Sequence, residues 1–189
     1  MKTSLSHIAT IHTGVFAKPV SKGDVVYLQA RHFDEFGALT SALHPDLQAS
    51  KTTEKHLLRP GDVLFAAKGA KNFAAVYESQ NPAAVASTTF FVIRLLDHTI
   101  LPAYLAWVLN NPTSQKILKG NAIGSAMVSI SKTVLEKLEI ALPSIQQQQC
   151  ILEIARLSKK ENSILLKLAE LRQQHIQQQL INAIDKSNG

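Results

Sequence analysis

The sequence has 189 residues, 46% of them hydrophobic and 18% charged, enough to bury one real core and too apolar for a disordered chain. No run approaches the ~18 uncharged apolar residues of a membrane span, and Met1–Gly14 holds no apolar stretch ending in a small-residue cleavage site, so a soluble, cytoplasmic protein with no membrane partner is expected. Lys and Arg number 20 against 14 Asp and Glu, a net charge of +6, which favours a polyanionic partner.

In chain order, Asp24–Leu28, Asp62–Ala66 and Thr88–Ile93 are short runs of β-branched and aromatic residues bounded by Gly, Pro or Ser, and are predicted as strands. Pro60-Gly61 makes a sharp turn into the second of them. Helices are predicted over Pro102–Asn110, with Pro at an early helical position, and over Ser114–Lys119 after Asn111-Pro112. Ser131–Glu139 reads as a third helix capped by Ser131, before Leu138–Leu142 extends as a last strand.

At Pro143 the composition changes. Gly and Pro punctuate the chain to that point and neither recurs until Gly189, while nine of the 13 glutamines fall between Gln146 and Gln179. Residues 1–143 are therefore assigned to a globular α+β domain and 144–189 to one long helix, with Ser144 as its cap. Helical from about 146 to 184 it would be roughly 58 Å long, too long to lie wholly against so small a domain, and should project. Ile154, Leu157, Ile164, Leu168 and Leu171 follow the 3-4 spacing of a coiled-coil seam, interrupted at Glu161, and Ile176 and Leu180 continue it on a shifted face. The alternative is a helix folded back on its own domain.

Catalytic, cofactor and metal chemistry find no carrier in these residues. His7 and His12 are five apart, which suits neither a helical nor a strand metal pair. Cys150 has no histidine in the following turns and reads as a buried structural thiol. Gly120–Ser125 lacks the third glycine and the Lys-Ser/Thr of a phosphate cradle.

Leu57-Leu58-Arg59-Pro60-Gly61-Asp62-Val63-Leu64-Phe65, followed by Gly69, resembles the L-x-x-G-D-[IV]-L segment in target-recognition domains of type I restriction-modification specificity subunits. Ala86-Ser87, Leu101-Pro102-Ala103-Tyr104-Leu105, Gly124-Ser125, Ile130-Ser131 and Leu135 follow in the family's order. Ile140-Ala141-Leu142-Pro143-Ser144-Ile145-Gln146-Gln147-Gln148-Gln149-Cys150-Ile151 is similar to its domain end, I-P-L-P-P-L-x-E-Q-x-x-I, with Gln-Gln where the family has Glu-Gln. The resemblance covers nearly the whole chain, but one recognition domain and one helix stand where a complete subunit has two of each, so a half-length form is implied.

The resemblance implies a mixed β-sheet recognition domain with short helices, and a long helix that pairs as an antiparallel coiled coil in a homodimer. It implies a non-catalytic subunit that reads one half of a bipartite site in double-stranded DNA and binds methyltransferase subunits, which a nuclease subunit can join. Lys and Arg in loops should then meet phosphates, and Arg, Asn, Gln, Ser or Thr should read base edges. The candidates are Lys18, Lys22 and Arg31 after the Thr13-Gly14 turn, Lys68, Lys71 and Asn72 around Gly69, and Ser125. The rival reading is a non-catalytic coiled-coil adaptor that dimerises and presents its globular domain to a protein.

Overall fold

The computed structural model describes residues 2–34, 37–40, 42–69, 72–121 and 129–187, with backbone alone for 51, 52 and 184–187. It divides into two compact units, Met1–Gln148 and Gln149–Gly189. In order, the elements are β1 (Lys2–Ser4), α1 (Leu5–Ile8), β2 (Ala9–Thr13), β3 (Val26–Leu28), a 3-10 turn (Ala30–His32), α2 (Lys51–Lys55), β4 (Val63–Ala66), β5 (Ala74–Val76), β6 (Ala84–Ala86), β7 (Phe90–Leu95), α3 (Pro102–Asn110), α4 (Pro112–Gly120), α5 (Lys132–Glu136), β8 (Glu139–Ala141) and α6 (Ile145–Ser187). The class is α+β.

Among the described residues the first unit holds three sheets: an antiparallel sheet in the order β2-β7-β4-β5, a parallel pair β3-β6 and an antiparallel pair β1-β8. β4 lies between β5 and β7, and all four of its residues, Val63-Leu64-Phe65-Ala66, are buried. A strand with neighbours on both sides and cover on both faces is apolar throughout, which explains its continuous hydrophobic run. The chain enters β4 through Gly61, whose φ of 92° is open to glycine without strain, and whose N–H donates to the Tyr77 carbonyl at 2.8 Å.

Asp62, only 2% exposed, holds this turn to the neighbouring strand. Its carboxylate accepts from the Arg59 N–H at 2.8 Å and from Arg94 Nε and Nη2 at 2.8 and 2.7 Å. These hydrogen bonds raise the Arg94 pKa above its usual value, against the opposing effect of burial. On the outer side, β5 has no further strand among the described residues. The Asn110 amide takes that place, accepting from the Ala74 N–H at 2.7 Å and donating to its carbonyl at 2.8 Å, so the edge carries fewer free backbone groups.

The boundaries differ from the sequence-based ones in a few places. β7 starts at Phe90 because Thr88 and Thr89 form a turn closed by a 2.9 Å bond from the Phe90 N–H to the Ser87 carbonyl. α4 starts at Pro112, where the Asn111 side chain accepts from the Thr113 N–H. α5 ends at Glu136, although Ser131 caps it as expected by accepting from Val134. α3 occupies Pro102–Asn110.

α6 opens with a reciprocal cap: the Ser144 hydroxyl accepts from the Gln147 N–H at 3.3 Å, and the Gln147 side chain accepts from the Ser144 N–H at 3.0 Å. A glutamine closes such a box as a glutamate does, so the Gln-Gln departure keeps the geometry and loses only the charge. Gln148 is fully buried in the first unit, accepting from the Leu101 N–H at 2.8 Å and donating to the carbonyls of Thr99 and Pro143 at 2.8 and 2.9 Å. The first turn of α6 thus belongs to the globular unit, and the unit boundary falls a few residues after the change in composition.

The second unit is the remainder of α6. Its described side chains from Arg156 to Ala183 are all exposed, among them Ile164, Leu168, Leu171, Ile176 and Leu180, and Ile154 shares that state; Cys150, expected to be buried, is exposed as well. Ion pairs Arg156–Glu153 and Lys167–Glu170, at 2.6 and 2.8 Å, lie along it at i,i+3 spacing. No helix among the described residues is long and apolar enough to cross a membrane.

Candidate nucleic-acid interface

Strand register brings several loops to one end of the main sheet. Thr13, the last residue of β2, pairs with Phe91; Ala66, the last of β4, pairs with Phe90, the first of β7. The loops leaving β2 and β4 and the Ser87–Thr89 turn entering β7 therefore meet at the same edge. β3 and β6 are parallel and end together at Leu28 and Ala86, with the Ser87 N–H donating to the Leu28 carbonyl at 2.8 Å. The 3-10 turn that follows β3 joins the group.

Short contacts fix each loop there. After β2, Gly14 donates to the Phe90 carbonyl at 3.0 Å and Val15 to the Ala86 carbonyl at 2.8 Å. A Cβ on Gly14 would stand 2.1 Å from the Ser87 carbonyl oxygen, so glycine is required by close approach. After β4, Ala67 donates to the Thr89 carbonyl, Ile130 donates to the Ala67 carbonyl, and Lys68 bridges to Ser129. Beneath them Phe33, Phe73 and Phe90 form a ring cluster, with centroids 5.5, 5.6 and 6.0 Å apart. Phe33 closes the 3-10 turn, Phe73 follows the β4 loop and Phe90 begins β7, so one apolar cluster anchors three loops.

Of the basic candidates, Lys18, Arg31 and Lys68 are exposed on these loops. Lys22 is exposed too, but on the segment that enters β3 from its other end, where Gly23 donates to the Pro45 carbonyl. Asn72 is buried, and its amide donates to the Ala66 carbonyl at 2.9 Å, tying the β4 loop to its own strand. Lys71 and Ser125 lie outside the described residues. Beside Arg31, His32 accepts from the Gln29 N–H at 3.2 Å through Nδ1, and burial first, then the positive charge of Arg31, holds its pKa below the usual value against the pull of Asp46. His32 thus adds no counter-charge near neutrality.

Phe16, absent from the sequence-based candidates, is 79% exposed on the β2 loop. A usable signal was present: the first 23 residues contain three lysines and no Asp or Glu. Among the described residues no group of three or more His, Cys, Asp or Glu could hold a metal ion.

An α+β unit running into one long helix is the architecture of specificity subunits. Residues 18–174 match the family described as the type I restriction modification DNA specificity domain, and the chain belongs to that family. Among solved structures, the chain is similar to the S subunit of a type I restriction-modification system from M. genitalium, at 14% identity and TM-score 0.59, over 90% of this chain and 42% of that one. It is similar to the HsdS subunit from Thermoanaerobacter tengcongensis at 18% identity and TM-score 0.59, over 88% and 39%. A chain from a structural study of complex assembly and conformational transition of the type I R-M system aligns at 16% identity and TM-score 0.66, over 87% and 39%. The chain thus spans about two fifths of the length of the solved chains it matches. No curated protein matches it by sequence.

Proposed function

We propose that the chain acts as a half-length specificity subunit: it reads one half of a bipartite site in double-stranded DNA, pairs with a second copy through α6, and recruits methyltransferase subunits that carry the chemistry. The observation behind this reading is the convergence of the exposed Lys18, Arg31 and Lys68 on loops held at one sheet end by hydrogen bonds and the Phe33–Phe73–Phe90 cluster. Cations on anchored loops meet phosphates with little ordering cost, and loop side chains beside them are placed to reach base edges. In this scheme Asn72 shapes the β4 loop through Ala66, and Lys22 lies away from the DNA.

The test is duplex binding by the purified chain over a range of salt concentrations. Replacing Lys18, Arg31 and Lys68 together with Ala should weaken binding to every sequence and reduce the slope of log K against log salt by about 0.9 for each phosphate no longer neutralised. Unchanged affinity and slope would remove these loops from the interface and favour the protein-binding adaptor.

A further inference from the structure

Among the described residues of the globular unit few large apolar side chains are exposed, and Phe16 is the most exposed of them. One exposed apolar residue means little by itself. Its mounting is the informative feature. The Tyr27 hydroxyl donates to the Val15 carbonyl at 3.0 Å and accepts from the Ala17 N–H at 3.3 Å, so it clasps the backbone immediately before and after the ring. Tyr27 is itself buried in the cluster with Val25, Leu47 and Val85, and Val15 is bonded on its other side to Ala86. The loop therefore holds an apolar ring in water on a base fixed from the core.

Exposed cations share the sheet end that carries this ring. Lys18 follows it by two residues, Arg31 and Lys68 stand on the loops of the same sheet end, and no acid precedes Asp24. An apolar partner inside a polyanion is the stack of bases in a nucleic acid. Resting on the DNA reading above, we infer that Phe16 is a specificity-determining wedge: its ring inserts between neighbouring base pairs while Lys18 takes an adjoining phosphate. Aromatic and aliphatic wedges of this kind partly unstack a step and kink the duplex. Pyrimidine–purine steps such as TA unstack most readily, so a wedge selects sequence at a step where it makes no hydrogen bond.

The full-length chain should be titrated into a mixed-sequence duplex with 2-aminopurine placed at its TA steps. Wild type should raise the 2-aminopurine fluorescence as bases unstack. Phe16→Ala should abolish that rise and weaken binding about tenfold, the scale of one aromatic–base stack removed, while leaving the salt slope unchanged. Phe16→Trp should restore both signals. Because the ring is exposed, the urea midpoint of Phe16→Ala should equal that of wild type, which separates the effect from misfolding. Wild-type affinity and fluorescence in Phe16→Ala would overturn the wedge and leave the DNA reading standing, as would a loss confined to methyltransferase binding. A wild-type chain that binds no duplex would overturn the DNA reading itself.

Discussion

Asp62 is the acid of the Gly-Asp-Val-Leu segment, and its buried carboxylate takes three hydrogen bonds, two of them from Arg94. Asp62→Ala leaves a partly buried guanidinium and the Arg59 N–H without that acceptor. Urea unfolding should show a loss of about 3 kcal/mol, the low end for a broken buried pair because Arg94 retains some exposure to solvent. An unchanged midpoint would show that solvent replaces the pair at no cost. The sequence marked Asp62 as the entry to a strand, and Ser131 as a cap, because turn and cap chemistry are local. It did not show that Asp62 faces Arg94, that Gln148 reaches Leu101 and Thr99, or that Asn72 is buried, since each depends on residues brought together only by the fold.

Elements with strong local signals were legible: β4 as a continuous apolar run, α3 from its proline to Asn110, and α6 from the loss of Gly and Pro. β1, α1 and β2 were not. β1 has three residues and α1 four, too short for a period to register. β5 and β6 read Ala-Ala-Val and Ala-Val-Ala, and alanine carries little strand preference. For α6, the apolar positions at coiled-coil spacing are exposed in the single chain, Leu168 at 41% and Leu171 at 50%. A seam of this kind gains stability only against a partner. Leu168→Asp with Leu171→Asp would bury uncompensated charge in a paired seam, so light scattering should give a dimer for wild type and a folded monomer for the double variant. A wild-type monomer at micromolar concentration, or a dimer indifferent to both changes, would exclude pairing through this face.

For the whole molecule, the decisive quantity is the number of recognition units. Two copies related by a two-fold axis present the same loops to opposite strands, so each must read the same half-site. Under the proposed pairing, selection from a random duplex pool by the chain together with its methyltransferase subunits should yield an interrupted palindrome with one fixed spacer length. Two unrelated half-sites, or a variable spacer, would contradict a closed homodimer. Sequence comparison reached the family, but no base identity: the β2, 3-10 and β4 loops that would read DNA are set by hydrogen bonds to Ser87, Ala86 and Thr89 from elsewhere in the chain.

The pairing of β1 with β8 has a consequence in time. Lys2 stands opposite Ala141, and the Leu5 N–H bonds to the Leu138 carbonyl, so β1 has no partner until nearly the whole globular unit has been made. At roughly 5–20 residues per second β1 waits on the order of ten seconds on the ribosome, whereas β4 and β5 can meet within moments of emerging. β1 cannot be placed before β8 exists, and closing so long a loop makes its docking a late and slow event in folding.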